Sequence, residues 1–146
     1  MTQIDVVDLQ VRFPVKNGIK TAVSGANFAL EQGETFSLVG ASGCGKSTIL
    51  RVLAGLQREW AGHVTLLGQT LRPGQRFTGA LRRNVQMVFQ DPYASLHPNH
   101  TLWRTLSEPL ILHGEKEPQR WVPAALEQVG LPADAMSRYP HQLSGG

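Results

Sequence analysis

Cysteine is almost missing from this chain. Cys44 stands alone among 146 residues, which excludes an intrachain disulfide and fits a reducing compartment. No run of 18 apolar residues occurs, so no segment is expected to cross a bilayer. The first ten residues lack a basic stretch leading into an apolar core, and no secretory signal is expected. Repeats and low-complexity tracts are absent too. Charge is sparse at 17% of residues, and the 14 Lys and Arg are scattered except for pairs such as Arg82-Arg83. A net charge of +3 spread in this way does not mark a nucleic-acid surface, so no nucleic-acid partner is expected. What remains, with 41% hydrophobic residues, suits one globular unit, soluble and cytoplasmic, that meets a membrane only through a partner.

The hydrophobic pattern changes character along the chain. Val7, Leu9, Val11 and Phe13 alternate with polar residues, the period of a half-buried strand. Asn17-Gly18 marks a turn, Ala26, Phe28 and Leu30 alternate again, and Gln32-Gly33 closes that segment. Thr35 to Val39 reads as a short strand, and Ser47 to Leu56 as a helix carrying Ile49, Leu50, Leu53 and Leu56 on one side. Further strands are expected over His63 to Leu67 and Asn84 to Phe89. Beyond Gln90 the pattern turns helical, with a stripe at Leu102, Leu106 and Leu110 that Pro109 weakens. A second helix is expected over Pro118 to Val129, with Trp121, Ala125, Leu126 and Val129 on one side and Gly130 at its C-terminal cap.

Between the expected strand at 35–39 and the expected helix lies Gly40-Ala41-Ser42-Gly43-Cys44-Gly45-Lys46-Ser47-Thr48, a full match to G-x-x-x-x-G-K-[ST]. A triphosphate needs several donors converging from one side, and backbone N–H groups supply them where the chain wraps closely. Gly40, Gly43 and Gly45 permit that approach. The start of the following helix adds its positive dipole end. Lys46 brings an ammonium to the β and γ phosphates, and the Ser47 hydroxyl is the expected Mg²⁺ ligand. ATP and Mg²⁺ are therefore the expected ligands. Cys44 reads as a small tolerated side chain, with a redox switch as the alternative.

Two further segments narrow the reading. Val88-Phe89-Gln90-Asp91-Pro92 follows the loop, and Leu143-Ser144-Gly145-Gly146 ends the sequence. In this order, with helical sequence between the last two, they resemble the ABC ATPase family over essentially the whole chain. The resemblance implies an α/β, RecA-like P-loop core with an antiparallel β-subdomain and a partial helical subdomain. It implies a core over residues 1–90 and a helical subdomain over 91–146. Gln90 takes the place of the glutamine that contacts Mg²⁺ and the attacking water, and Lys46 and Gln90 become the catalytic residues. Phe13 sits where the family stacks an aromatic on adenine, the reading preferred here to that of a core residue in the alternating stripe. Ser144, Gly145 and Gly146 resemble the signature motif that closes over ATP held by a second ABC subunit, identical or not. Phe89 to Pro98 looks like the FQDPxxSLNP segment of importer ATPases for peptides and nickel, with His97 replacing Asn. The implied partners are membrane-spanning permease subunits, an extracytoplasmic binding protein behind them, and a station on the cytoplasmic face of the inner membrane. His97, His100, His113 and His141 read as surface histidines rather than metal ligands.

No apolar run followed by Asp-Glu occurs in the sequence, so the family's Walker B carboxylates, D-loop and switch histidine are expected to be missing. The 146 residues are read as an N-terminal portion of the ATPase that is inactive alone. The alternatives are a nucleotide-binding remnant and a soluble, non-transport ABC protein. Without the strand that normally lies beside it, Thr35 to Val39 is expected to keep an unpaired edge and exposed apolar surface.

Overall fold

Two long strands open the chain, and their pairing follows from the turn between them. In this computed structural model, which describes residues 1–144, β1 (Thr2–Val15) and β2 (Gly18–Glu31) form an antiparallel hairpin with Val15 opposite Gly18. The strict alternation expected of β1 breaks at Asp8. Its φ of 49° and the register shift between Val6 and Leu9 mark a bulge. An inserted residue reverses which face each side chain takes. Val6, Leu9 and Val11 are consequently buried while Val7 is exposed. The Asp8 N–H, freed from the ladder, donates to Asn27 Oδ1 at 2.9 Å.

Helix α1 (Lys46–Leu53) follows the glycine loop, and then β3 (Ala61–Leu66) and the two-residue β4 (Gln69–Thr70) complete a sheet of order β2-β1-β3-β4. All its pairings are antiparallel. Ile49 and Val52 of α1 join Val6, Leu9, Val11, Val23, Val64, Leu66, Leu71 and Leu81 in the core. Leu50 and Leu56, expected on that side of the helix, are exposed. Helix α2 (Gly79–Asn84) was not legible as a helix and sets Leu81 into the core.

Two expected strands do not form. Residues 34–40 and 85–89 have no regular structure, and among the described residues no strand pairs with either. The cause is physical: a strand exists only through a neighbour's N–H and C=O groups, however strong its own propensity. Apolar side chains in both segments face solvent instead, with Val39 90% and Val88 97% exposed and Phe36 and Phe89 about half so. Phe36 finds partial cover by stacking on Phe28 at a centroid distance of 5.1 Å.

The chain divides after Met87 into two compact units, 1–87 and 88–146. The second contains α3 (Pro92–Ser95), α4 (Leu102–Leu112), α5 (Pro118–Gln128) and short 3₁₀ turns at Ala133–Ser137 and Pro140–Gln142. Its own core is Leu102, Val122, Leu126 and Ala135. The stripe expected on α5 is corrected here. Pro118, Val122 and Leu126 face inward, whereas Trp121 and Val129 are exposed. Both sets are apolar at i, i+4, i+8, and only the packing partner distinguishes them. Gly130 does terminate α5 in a Schellman motif at φ 78°, with Leu131 N–H donating to Leu126 O at 2.9 Å and Gly130 N–H to Glu127 O at 3.0 Å.

Candidate nucleotide-binding site

The loop from Gly40 to Thr48 is shaped by contacts that explain its glycines. Gly43 and Gly45 hold φ values of 79° and 97°, so the chain turns in the left-handed region twice before α1 begins. At Gly40 space is tight, since a Cβ there would lie 2.7 Å from Cys44 Sγ and the thiol would have to turn aside. Cys44 N–H closes the turn onto Ala41 O at 3.3 Å, and Ile49 N–H makes the first helical bond to Gly45 O at 3.0 Å.

The start of α1 is therefore rich in donors. The N–H groups of Lys46, Ser47 and Thr48 precede that first helical bond, no side chain caps this end, and no acidic residue occupies the first turn. Helix polarity adds positive potential at the same place. Lys46 folds its ammonium back over the loop, donating to Gly40 O at 2.6 Å and Ala41 O at 2.7 Å, with Cys44 Sγ at 3.4 Å. Ser47 is exposed at the helix start, and Cys44 is exposed as well. Amides, ammonium and hydroxyl are gathered with no carboxylate in the first turn to compete. This donor set suits an anion of high charge, and a magnesium-bound triphosphate fits it.

The other expected site residues are outside the 40–48 loop in sequence. Phe13 sits on β1 opposite Lys20, half-buried against the core of the first unit. Gln90 and Ser144 belong to the second unit, and both are exposed. Gly145 and Gly146 lie outside the described residues. One feature escaped sequence reasoning. Asp91 caps α3, its Oδ1 accepting from Tyr93 N–H at 2.9 Å and Ala94 N–H at 3.1 Å, with Pro92 at the first helical position. Ser95 Oγ donates back to Asp91 O at 2.6 Å. The Asp-Pro pair is the signal that could have revealed it. Asp91→Ala is expected to cost about 1 kcal/mol, read by chemical denaturation, with amide exchange rising at Tyr93 and Ala94. Asp91→Asn is expected to recover most of that loss, since its amide oxygen can accept the same bonds.

A family model described as ABC transporter matches residues 23–146. The chain belongs to the ABC transporter family. Among its relatives, the oligopeptide transport ATP-binding protein OppF of Escherichia coli K12 is 39% identical over 98% of this chain and 47% of its own length. The putative oligopeptide transport ATP-binding protein YkfD of Bacillus subtilis is 43% identical, covering 98% of this chain and 45% of that protein. The glutathione import ATP-binding protein GsiA of E. coli K12 is 44% identical over 97% of this chain and 24% of its own length. The chain thus spans half or less of these curated relatives. Among solved structures, the ATP-binding cassette MJ0796, in a dimeric post-hydrolysis state with ADP and Pi, superposes with a TM-score of 0.78 at 24% identity. That match covers 98% of this chain and 64% of the other, and at this identity it carries the fold alone. The α/β ATPase fold expected from the sequence is the fold of this ABC transporter chain.

Proposed function

We propose that this chain forms the nucleotide-gripping part of the ATP-binding subunit of an ABC importer. One observation supports the reading above the rest: uncapped amides at the start of α1 and the Lys46 ammonium meet in one glycine loop. In this reading Gly40 to Thr48 hold the phosphates of ATP, Lys46 serving the β and γ groups and Ser47 the Mg²⁺. The metal would offset phosphate charge and fix the orientation of the triphosphate. Gln90 serves the metal and the attacking water, and the Phe13 ring serves the adenine. Ser144, Gly145 and Gly146 act on nucleotide held by a second ABC subunit.

The relatives named for oligopeptide and glutathione import support a peptide cargo. None of the relatives named above is named for nickel. A permease in the membrane would be the coupled partner and the cytoplasmic face the place of action. No helix among the described residues is long and apolar enough to cross a membrane, in keeping with attachment through such a partner.

A second reading concerns the 146 residues taken by themselves. They hold no apolar strand ending in Asp-Glu, and they expose Val39 and Val88 almost completely. On this basis they bind nucleotide and turn none over. The purified chain is expected to bind a fluorescent ATP analogue in the presence of magnesium and to release phosphate no faster than buffer. Steady phosphate release that disappears in Lys46→Ala protein would overturn the second reading. Absence of any analogue binding by the complete protein would overturn the first.

A further inference from the structure

The turn leading into α4 stacks two histidine rings and ties one of them by a bond that needs its Nδ1 unprotonated. His97 and His100 stack at a centroid distance of 4.0 Å with their planes 20° apart. His97 Nδ1 accepts the Asn99 N–H at 3.2 Å, so that nitrogen carries a lone pair and not a proton. His100 N–H donates to His97 O at 3.1 Å and closes the turn. His100 then stands one residue before Thr101, the N-cap of α4, whose Oγ1 accepts from Arg104 N–H at 3.3 Å. We propose that residues 97–101 form a proton-sensitive clasp on the start of α4, closed while His97 and His100 are neutral and released when either takes up a proton.

Two features oppose a proton here. Protonation at Nδ1 sets a donor against the Asn99 N–H and breaks that bond. A charge on His100, one residue before the N-cap, would lie at the positive end of α4, where cations are disfavoured. The charged groups bearing on His100 are Arg104 and Glu108 of α4 and His97 across the turn. Arg138, whose carbonyl receives the Leu102 N–H at 3.0 Å, has its guanidinium near Asp134 at 3.5 Å. Loss of hydration, then Arg104, then His97 hold His100 below its ordinary value of 6.5, and Glu108 offsets them in part. The sign follows from linkage. An open turn takes up a proton near pH 6.5 and a closed one only at lower pH. Closure is therefore at full strength above that value and weakens as pH falls below it.

The test is amide exchange on the full chain, corrected for intrinsic rates, at Leu102, Arg104 and Thr105. Their protection is expected to fall at least threefold, roughly, between about pH 7.5 and about pH 5.5. In the His97→Asn/His100→Gln double variant it is expected to stay flat, because the amide oxygen introduced by His97→Asn can still accept from the Asn99 N–H without titrating. Protection in the wild-type chain that ignores pH, or an equal fall in the double variant, overturns the proposal. Should the variant fail to fold, imidazole titration of the wild-type chain by NMR decides. A His100 midpoint below the ordinary imidazole value of 6.5 supports the clasp, and one at or above it overturns it.

Discussion

Lys46→Ala is expected to weaken binding of an ATP analogue by roughly 10- to 100-fold, with little change in folding stability. Hydrogen bonds to charged groups contribute about 1.5–3 kcal/mol, which converts to that range of affinity. The stability side follows from where the ammonium sits. Its partners, the carbonyls of Gly40 and Ala41, belong to exposed loop residues, so water can replace the lost donor. A change under about 1 kcal/mol is expected by denaturation, since an exposed group is not left unsatisfied. The two readouts separate a phosphate-binding lysine from one that merely ties its loop. Unaltered affinity would remove the phosphate role, and a stability loss that matches the affinity loss would assign Lys46 to the loop alone. Lys46→Arg is informative beside it. It keeps the charge but replaces a compact ammonium with a planar fork, and only partial recovery of binding is expected.

Where the sequence was most informative, the structural cause was local. Gly43, Gly45 and Lys46 act through their neighbours in the chain, and so the loop and the helix after it could be placed from the residues alone. The cap at Gly130 belongs to the same kind. What could not be read depends on distant partners. Thr35 to Val39 has the composition of a strand, yet strand formation is a property of pairs, and no described strand lies beside it. Val7 left its stripe because of a bulge that Asp8 makes with Asn27, 19 residues away. The buried face of α5 was equally undetermined, since Val122 and Trp121 offer competing apolar stripes and only Leu102 and Ala135 decide between them. The stacking of His97 on His100 was visible as a spacing, three residues apart in a loop, but not as a contact. Gln90 and Ser144 gained their roles from the family resemblance and keep them as proposals.

Gly45→Ala is expected to destabilise the first unit by roughly 3 kcal/mol or more and to remove nucleotide binding with it. Two separate costs act at this position. The first is conformational: φ is 97°, a region that costs an L side chain about 1–3 kcal/mol. The second is spatial, because β2 runs directly against the loop. A Cβ on Gly45 would collide with the Ala22 carbonyl oxygen and lie 3.2 Å from Val23 Cγ2. The carbonyl is backbone, at a register shift in β2 between Thr21 and Val23, which pair with Arg12 and Val11, so it cannot swing aside as a side chain would. Gly43→Ala provides the internal comparison. Its φ of 79° imposes a similar conformational cost, but a Cβ there meets nothing within 4 Å. The difference between the two midpoints of denaturation therefore measures the β2 contact by itself. If both variants lose the same stability, β2 does not confine the loop, and the helix start that presents Lys46 and Ser47 is held by its own turns rather than by the sheet.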